Sequence, residues 1–475
     1  MNKKKNKLKI LMLSAEVAPF AKVGGLADVV GSLPSALEKV DCDARVIVPL
    51  YGVVDRKKYN LKKIYSNAVV VSDKKKAVFN LWQSFFPGTN TPIYFIESLK
   101  YFAGEKVYSG RNDEERFLFF SSAALHALSL IKFVPDIIHC HDCHTALVPD
   151  ILKVGNFENL KNVKTIYTIH NFAYQGKTDV ETLKIGNLKK DSLKSLAYDA
   201  LDGDINFTVQ GILNADIVTT VSRRYAREIL TKEYGAGLDN IIRKRKKDLY
   251  GIVNGIDIDF FNPEKDKFIS KNYSVKTLKE KIRNKTALQK EVGLPVDADV
   301  PLVGMVSRFV SQKGIDLISD KFGSLDCQFV FLGTGQKKYE DMLKNFAKKF
   351  PKKVSANISF NISLAQKIYA ASDMFLMPSQ FEPCGLGQMI AMRYGTVPVV
   401  RATGGLDDTV DNTVGFKFKK MSSAEFYNKL KEAITIYKKN KNKWKNMQIN
   451  GMKRDFSWNK SAKEYLTVYR KALKK

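Results

Sequence analysis

The chain has 475 residues, 44% of them hydrophobic and 11% aromatic, and a formal net charge of +29. That length suffices for two or three ordinary domains with sizeable cores, and the composition excludes a disordered or fibrous protein. No apolar run reaches the roughly 18–20 residues of a membrane span, and the five cysteines, at 42, 140, 143, 327 and 384, form no disulfide framework, which fits a reducing compartment.

The chain opens "MNKKKNKLKILMLSAEVAPFA". Basic residues followed by an apolar run imitate a signal peptide, but the run is short and contains Glu16. A first buried strand and a cytoplasmic location are the expectation. "KVGGLADVVGSLP" (22–34) follows, placing Lys22, Gly24 and Gly25 just before a helix-like segment. Glycines permit a sharp turn and close approach of a ligand, and a helix start with a lysine suits phosphate.

Short β-like runs then alternate with helical patterns. "ARVIVPL", "PIYFI", "DIIHC", "KTIYTI" and "DIVTTVS" lie in the first half; "PLVGMVS", "CQFVFLG", "DMFLMPS" and "TVPVV" lie in the second. Near-continuous apolar strands alternating with helices predict parallel sheets covered on both faces. The pattern occurs twice, so the predicted fold class is α/β: two doubly wound, Rossmann-like domains facing a cleft. The predicted divisions are 1–257, a lysine-rich connection at 258–298, a second domain at 299–455, and a terminal amphipathic helix at 456–475.

Candidate chemistry collects after the predicted strands. "HCHDCH" (139–144) invites a zinc reading, but strand geometry points His139, Cys140 and His141 to alternating faces and no second ligand pair occurs. No metal is expected; the strand end should deliver His141, Asp142 and His144 to the rim of the cleft. "KTIYTI" ends at His170 and Asn171, placed to touch a ligand. Arg308 and Lys313 follow "GMVS", where two cations can clamp a pyrophosphate. Glu382 precedes Cys384, Gly385 and a helix start, and "TGGL" (403–406) repeats the glycine device of the N-terminus.

The excess of lysine over arginine is spread along the chain, apart from "RKRKK" (243–247) and "KKNKNKWK" (438–445). It reads as solvated surface rather than a base-reading face, where arginine dominates. No nucleic-acid partner and no membrane are expected.

The quoted motifs, together with "NDEERFLFFSSAAL", "TTVSRRYAREI", "GIVNGID", "SRFVSQKGIDL", "PSQFEPCGLGQMIAMRYG" and the C-terminal "FSW", resemble the bacterial glycogen synthases and plant starch synthases, glycosyltransferase family 5, along nearly the whole chain. The resemblance implies a GT-B fold with the last helix returning to the N-terminal domain. It implies retaining transfer of glucose from ADP-glucose to the non-reducing end of an α-1,4-glucan, with no metal or other cofactor. A UDP-glucose-dependent enzyme of the same fold and a non-catalytic glucan-binding protein are the alternatives.

By position, the resemblance implies that Lys22, Gly24 and Gly25 approach the donor's phosphates and glucose, and that Arg308 and Lys313 hold the diphosphate. Glu382 is the key carboxylate, with Cys384, Gly385 and Leu386 lining the pocket beside it. His170 and Asn171 bracket the glucose, Asn254 lies near the donor, and Phe360 stacks on the base. Asp28, Tyr101 and Asp142 belong to the acceptor side. The chain departs from the family at Cys143, in place of tryptophan, at Gln380, in place of arginine, and at Gly387, in place of threonine. The loop after Tyr101-Phe102 also lacks the family's Asp-Arg. These changes bear on acceptor choice and rate more than on the reaction.

Overall fold

The computed structural model describes residues 7–72 and 75–475. Its strands, in chain order, are β1 (Leu8–Leu13), β2 (Cys42–Pro49), β3 (Lys62–Ser72), β4 (Lys75–Phe85), β5 (Pro92–Glu97), β6 (Ile137–His141), β7 (Lys164–Ile169), β8 (Lys177–Asp179) and β9 (Asp204–Asn206). They continue with β10 (Ile217–Thr220), β11 (Leu249–Gly251), β12 (Leu302–Val306), β13 (Gln328–Gly333), β14 (Val354–Ile358), β15 (Met374–Met377), β16 (Val397–Arg401) and β17 (Phe416–Phe418). The chain divides into two compact units: one runs up to Gly255 and is completed by Trp458–Lys475, the other is Ile256–Ser457.

In the first unit the main sheet has the order β11-β10-β7-β6-β1-β2-β5-β4-β3. All neighbours are parallel except β4, which runs antiparallel to both β3 and β5. This departs from the expected all-parallel sheet for a simple reason. Only the tight turn Phe86–Thr91 joins β4 to β5, closed by a 3.1 Å bond from the Phe86 N–H to the Thr91 carbonyl, and so short a link cannot make a parallel crossover. The helix Gly25–Glu38 buries Leu26, Val29, Val30, Leu33 and Leu37, the three-and-four spacing of one helical face. The terminal helix Trp458–Ala472 buries Tyr465 and Tyr469 in the same core, and the Ser461 hydroxyl donates to the Val253 carbonyl at 2.7 Å. It thus returns to the unit in which the chain began.

The second unit carries a wholly parallel sheet in the order β14-β13-β12-β15-β16-β17. Its core is built from Val303, Phe329, Phe331, Leu376, Val399 and their neighbours. The segment read as a connection packs within this unit. Its helix Lys281–Glu291 buries two lysines: Lys281 donates to the Ala370 carbonyl at 2.7 Å, and Lys285 pairs with Asp373 at 2.8 Å. Buried, hydrogen-bonded lysine side chains tie the segment down.

Asp150, in the helix Val148–Val154, is fully buried; its Oδ1 accepts from Asn214 at 2.8 Å and its Oδ2 has no partner. Burial pushes its carboxyl up to about 8. Between the ordinary value near 3.9 and about 8, the folded chain keeps a proton here that the unfolded chain releases. This group therefore lowers stability as pH rises through that window, by up to about 1.4 kcal/mol per pH unit. Asp150→Asn is expected to flatten the fall in denaturation midpoint between pH 5 and 8. An unchanged pH slope would show that Asp150 is ionised in the folded chain.

Candidate functional site

Ligands in doubly wound sheets bind beyond the carboxyl ends of the strands, where successive connections leave in opposite directions. In the first unit that point lies between β1 and β6, because β1 leads outward to β2 and the chain later returns to lay β6 on its other side. In the second unit it lies between β12 and β15, by the same logic. The loops at these two points carry most of the residues singled out from sequence.

After β1, the loop to the helix Gly25–Glu38 is held by Glu16. Its Oε2 accepts from the backbone N–H groups of Val23 (2.7 Å) and Gly24 (2.8 Å), and its Oε1 accepts from the Tyr108 hydroxyl at 2.8 Å. The chain bends at Val23 and Gly24 before entering the helix, but Gly24 itself is extended, with φ −139° and ψ −167°, a conformation open to any residue. A Cβ on Gly25 would meet no heavy atom within 4 Å, so internal packing does not demand glycine. Lys22 Nζ lies 2.5 Å from Asp28, and both side chains are partly exposed. The structure brings together a residue expected at the donor and one expected at the acceptor.

After β6, Asp142 takes a left-handed φ of 55° and turns its carboxylate to the next strand, where Oδ1 accepts from the His170 N–H at 2.7 Å. Burial raises its carboxyl to about 7, opposed by bonds from the backbone N–H groups of His170 and Asn171. The expectation that the strand end lifts His141 to a rim is corrected: His141 is fully buried. His139 and His141, two residues apart on β6, share a face. His139 bonds the Tyr469 hydroxyl (2.9 Å) and Thr168 Oγ1 (2.6 Å), and His141 Nδ1 lies 3.0 Å from His170 Nε2. Burial holds His139 and His170 at about 3 and His144 at about 4, and pushes His141 far down, so the cluster is neutral at pH 7. Among the described residues no group of His, Cys, Asp and Glu is arranged to hold a metal ion.

Of the remaining first-unit residues, Asn171 caps its own loop by accepting from the Ala173 N–H at 3.1 Å. Tyr101 is stacked on Phe119 with 4.5 Å between ring centroids. Asn254 is buried, with its Oδ1 unpartnered. Cys143 is buried, and a Cβ on Gly176 would come within 3.0 Å of its Cβ.

In the second unit, Lys313 Nζ lies 2.6 Å from Glu382 Oε2, which also accepts from the Ser379 hydroxyl at 2.9 Å. The side chains are 16% and 8% exposed, so water screens the pair little. Arg308, just beyond β12, is exposed and has no side-chain hydrogen bond or ion pair among the described residues. Gly314 has φ +69°, and a Cβ there would stand 2.1 Å from the Pro378 carbonyl oxygen, so the Lys313 turn packs directly on the strand exit that carries Glu382. Gly385 lies beside it with φ +72°, and Cys384 is buried next to it.

Leu386 precedes the short helix Gly387–Arg393, where a Cβ on Gly387 would press on Phe375 at 3.0 Å and Met377 at 3.3 Å. Packing here leaves no room for the family's threonine without adjustment. The Gln380 backbone is fixed by Gln312 and Arg401, each bond 2.8 Å, and the residue is exposed. Phe360, between β14 and the helix Ile362–Ala371, is 85% exposed.

Gly404 joins these loops. Its φ is +45°, and a Cβ would lie 1.9 Å from the Glu382 carbonyl oxygen. Gly404→Ala therefore combines left-handed strain of about 1–2 kcal/mol with a backbone clash. It is expected to destabilise the second unit by more than about 2 kcal/mol and to displace Glu382, read as a lowered denaturant midpoint with reduced activity. A midpoint equal to wild type would contradict the close approach.

Sequence reading missed Glu16, Tyr108, Ser379 and the His141–His170 contact. Glu16 had a signal: an acid within an apolar run must find partners when buried.

The model of the starch synthase catalytic domain matches residues 9–244, and that of glycosyl transferases group 1 matches residues 289–453. The glycogen synthase of Thermosipho melanesiensis is 46% identical, covering 98% of this chain and 100% of its own. That of Thermotoga maritima is 43% identical over 98% and 99%. The solved catalytic domain of starch synthase IV from Arabidopsis thaliana, bound to ADP and acarbose, matches with a TM-score of 0.90 at 34% identity, covering 99% of this chain and 100% of that one. These likenesses span both units and every motif described, and the chain belongs to the glycogen synthase and starch synthase family, glycosyltransferases of the GT-B fold.

Proposed function

We propose that the chain transfers glucose from ADP-glucose to the non-reducing end of an α-1,4-glucan, retaining the anomeric configuration and releasing ADP in the cytoplasm. The observation that carries this reading is the buried Lys313–Glu382 pair, together with the exposed Arg308, which has no side-chain partner among the described residues, at the switch point of the second sheet. Two cations beyond the strand ends suit a diphosphate, and a carboxylate beside them suits a sugar that gains positive charge.

In this reading Arg308 and Lys313 hold the diphosphate and neutralise it as the bond from the anomeric carbon to the phosphate oxygen breaks. The acceptor's 4-hydroxyl forms the new bond on the same face, and its proton passes to the departing phosphate oxygen. Glu382 orients Lys313 and faces the sugar; no second carboxylate need serve as nucleophile, unlike in retaining hydrolases. Lys22, Gly24 and Gly25 approach the donor, and the free space at Gly25 suits that approach. Cys384, Gly385 and Leu386 line the glucose pocket and Asn254 the donor. His170, with Asn171, brackets the glucose, its carbonyl near the anomeric carbon. Phe360 stacks on the base, and Asp28, Tyr101 and Asp142 serve the acceptor.

The test is glucan elongation on glycogen with ADP-glucose or UDP-glucose, each with and without a chelator. Faster elongation with ADP-glucose, indifferent to chelator, is expected. Faster elongation with UDP-glucose would overturn the donor assignment. Binding of glycogen without turnover of either donor would overturn the enzymatic reading.

A further inference from the structure

We propose that His141 is a positioning residue for His170, fixing that imidazole in the tautomer that carries its proton on Nδ1. The inference rests on the reading that His170 contacts the transferred glucose. The two rings come from adjacent parallel strands: His141 ends β6 opposite Thr168 of β7, and His170 lies two residues beyond Thr168. Their nitrogens, Nδ1 of His141 and Nε2 of His170, are 3.0 Å apart, with ring centroids 5.2 Å apart.

Both rings are buried and neutral at pH 7, so one proton is shared across this contact. Which ring supplies it is decided by the far side of His141. Its Nε2 is buried with no hydrogen-bond partner. A proton placed there would be an orphaned buried N–H, whereas a proton on Nδ1 leaves only a bare lone pair at Nε2. Buried donors without partners are rarer than under-used acceptors, so His141 carries its proton on Nδ1 and donates it. His170 Nε2 then accepts, and the His170 proton must sit on Nδ1, the nitrogen with no partner among the described residues. His170 therefore offers a ligand an N–H donor: it suits the lone pairs of a sugar hydroxyl and rejects a group that can only donate.

The His141 ring is itself held in place. His139 lies against it with centroids 4.2 Å apart, and His139 is pinned by Thr168 and by Tyr469 of the terminal helix. His141 has no exposed surface and acts only through His170.

The experiment combines two readouts on the full chain: ¹⁵N NMR of the five histidine rings, with His170 identified by its loss in His170→Ala, and steady-state kinetics of His141→Leu and His141→Asn. Wild-type His170 is expected to show a protonated Nδ1 and an unprotonated Nε2. His141→Leu removes the donor and is expected to mix the tautomers and lower kcat on the order of tenfold, with the KM for the sugar nucleotide little changed. His141→Asn, whose amide nitrogen occupies the place of Nδ1, is expected to restore most of both. A wild-type His170 protonated on Nε2 overturns the proposal, and that reading stands even if His141→Leu fails to fold. So does a His141→Leu enzyme with normal kcat when His170→Ala is slow. If His170→Ala turns over normally, it is the sugar contact of His170 that fails, and the ring spectra still decide the tautomer.

Discussion

Replacing Arg308 with alanine is expected to lower turnover on the order of 10²–10³-fold, the usual effect of removing one preorganised group that meets developing charge. The guanidinium is exposed and has no hydrogen bond or ion pair among the described residues, so the thermal midpoint is expected to stay within the roughly 0.5 kcal/mol scatter of neutral surface changes. That combination separates a ligand-directed role from a structural one. Arg308→Lys is expected to recover only part of the loss, because an ammonium cannot make the paired, planar contacts of a guanidinium to phosphate oxygens. A slow Arg308→Ala enzyme with a lowered midpoint would point to misfolding instead, and normal turnover would remove Arg308 from the charge clamp.

Glu382→Gln is expected to show both effects at once. The carboxylate is buried and its partner ammonium nearly so, at 2.6 Å. Breaking such a pair from one side leaves a charge stranded, at about 3–5 kcal/mol when burial is complete; the residual exposure of Lys313 puts the expected cost at the lower end. Turnover is expected to fall on the order of 10²–10³-fold as well, because Lys313 loses the group that aims it. The paired change Lys313→Met with Glu382→Gln is expected to be less destabilising than the sum of its parts, since neither charge is then stranded. It should stay inactive. Near-normal turnover in Glu382→Gln would sink the central carboxylate.

Alternation of apolar strands with helices made both doubly wound sheets legible, because parallel strands buried on two faces must be apolar almost throughout. The three-residue strands β8, β9, β11 and β17 were not legible, being too short to carry a pattern. β3 and β4, where the sheet turns antiparallel, were passed over too; β3 is exposed along most of its length and shows no buried run.

Within the site, Arg308, Lys313 and Glu382 could be read because each lies in the loop that follows a buried strand and sits in a dense motif. The contact between Lys313 and Glu382, 69 residues apart, and that between His141 and His170, 29 apart, depend on which strands become neighbours. Local spacing holds no record of that. His141 was placed at a rim because polar residues at strand ends usually reach solvent; it is fully buried instead, with the rings of His139 and His170 against it.

The most direct test of the account is the fate of labelled glucose. The purified chain is incubated with glycogen and ADP-glucose labelled in the sugar, and the recovered polymer is digested with β-amylase, which removes maltose only from the non-reducing ends of α-1,4 chains. Release of nearly all incorporated label as maltose is the expected result, since it requires transfer, retention, linkage and chain end together. Label that never enters the polymer, or that enters and resists β-amylase, would contradict the account.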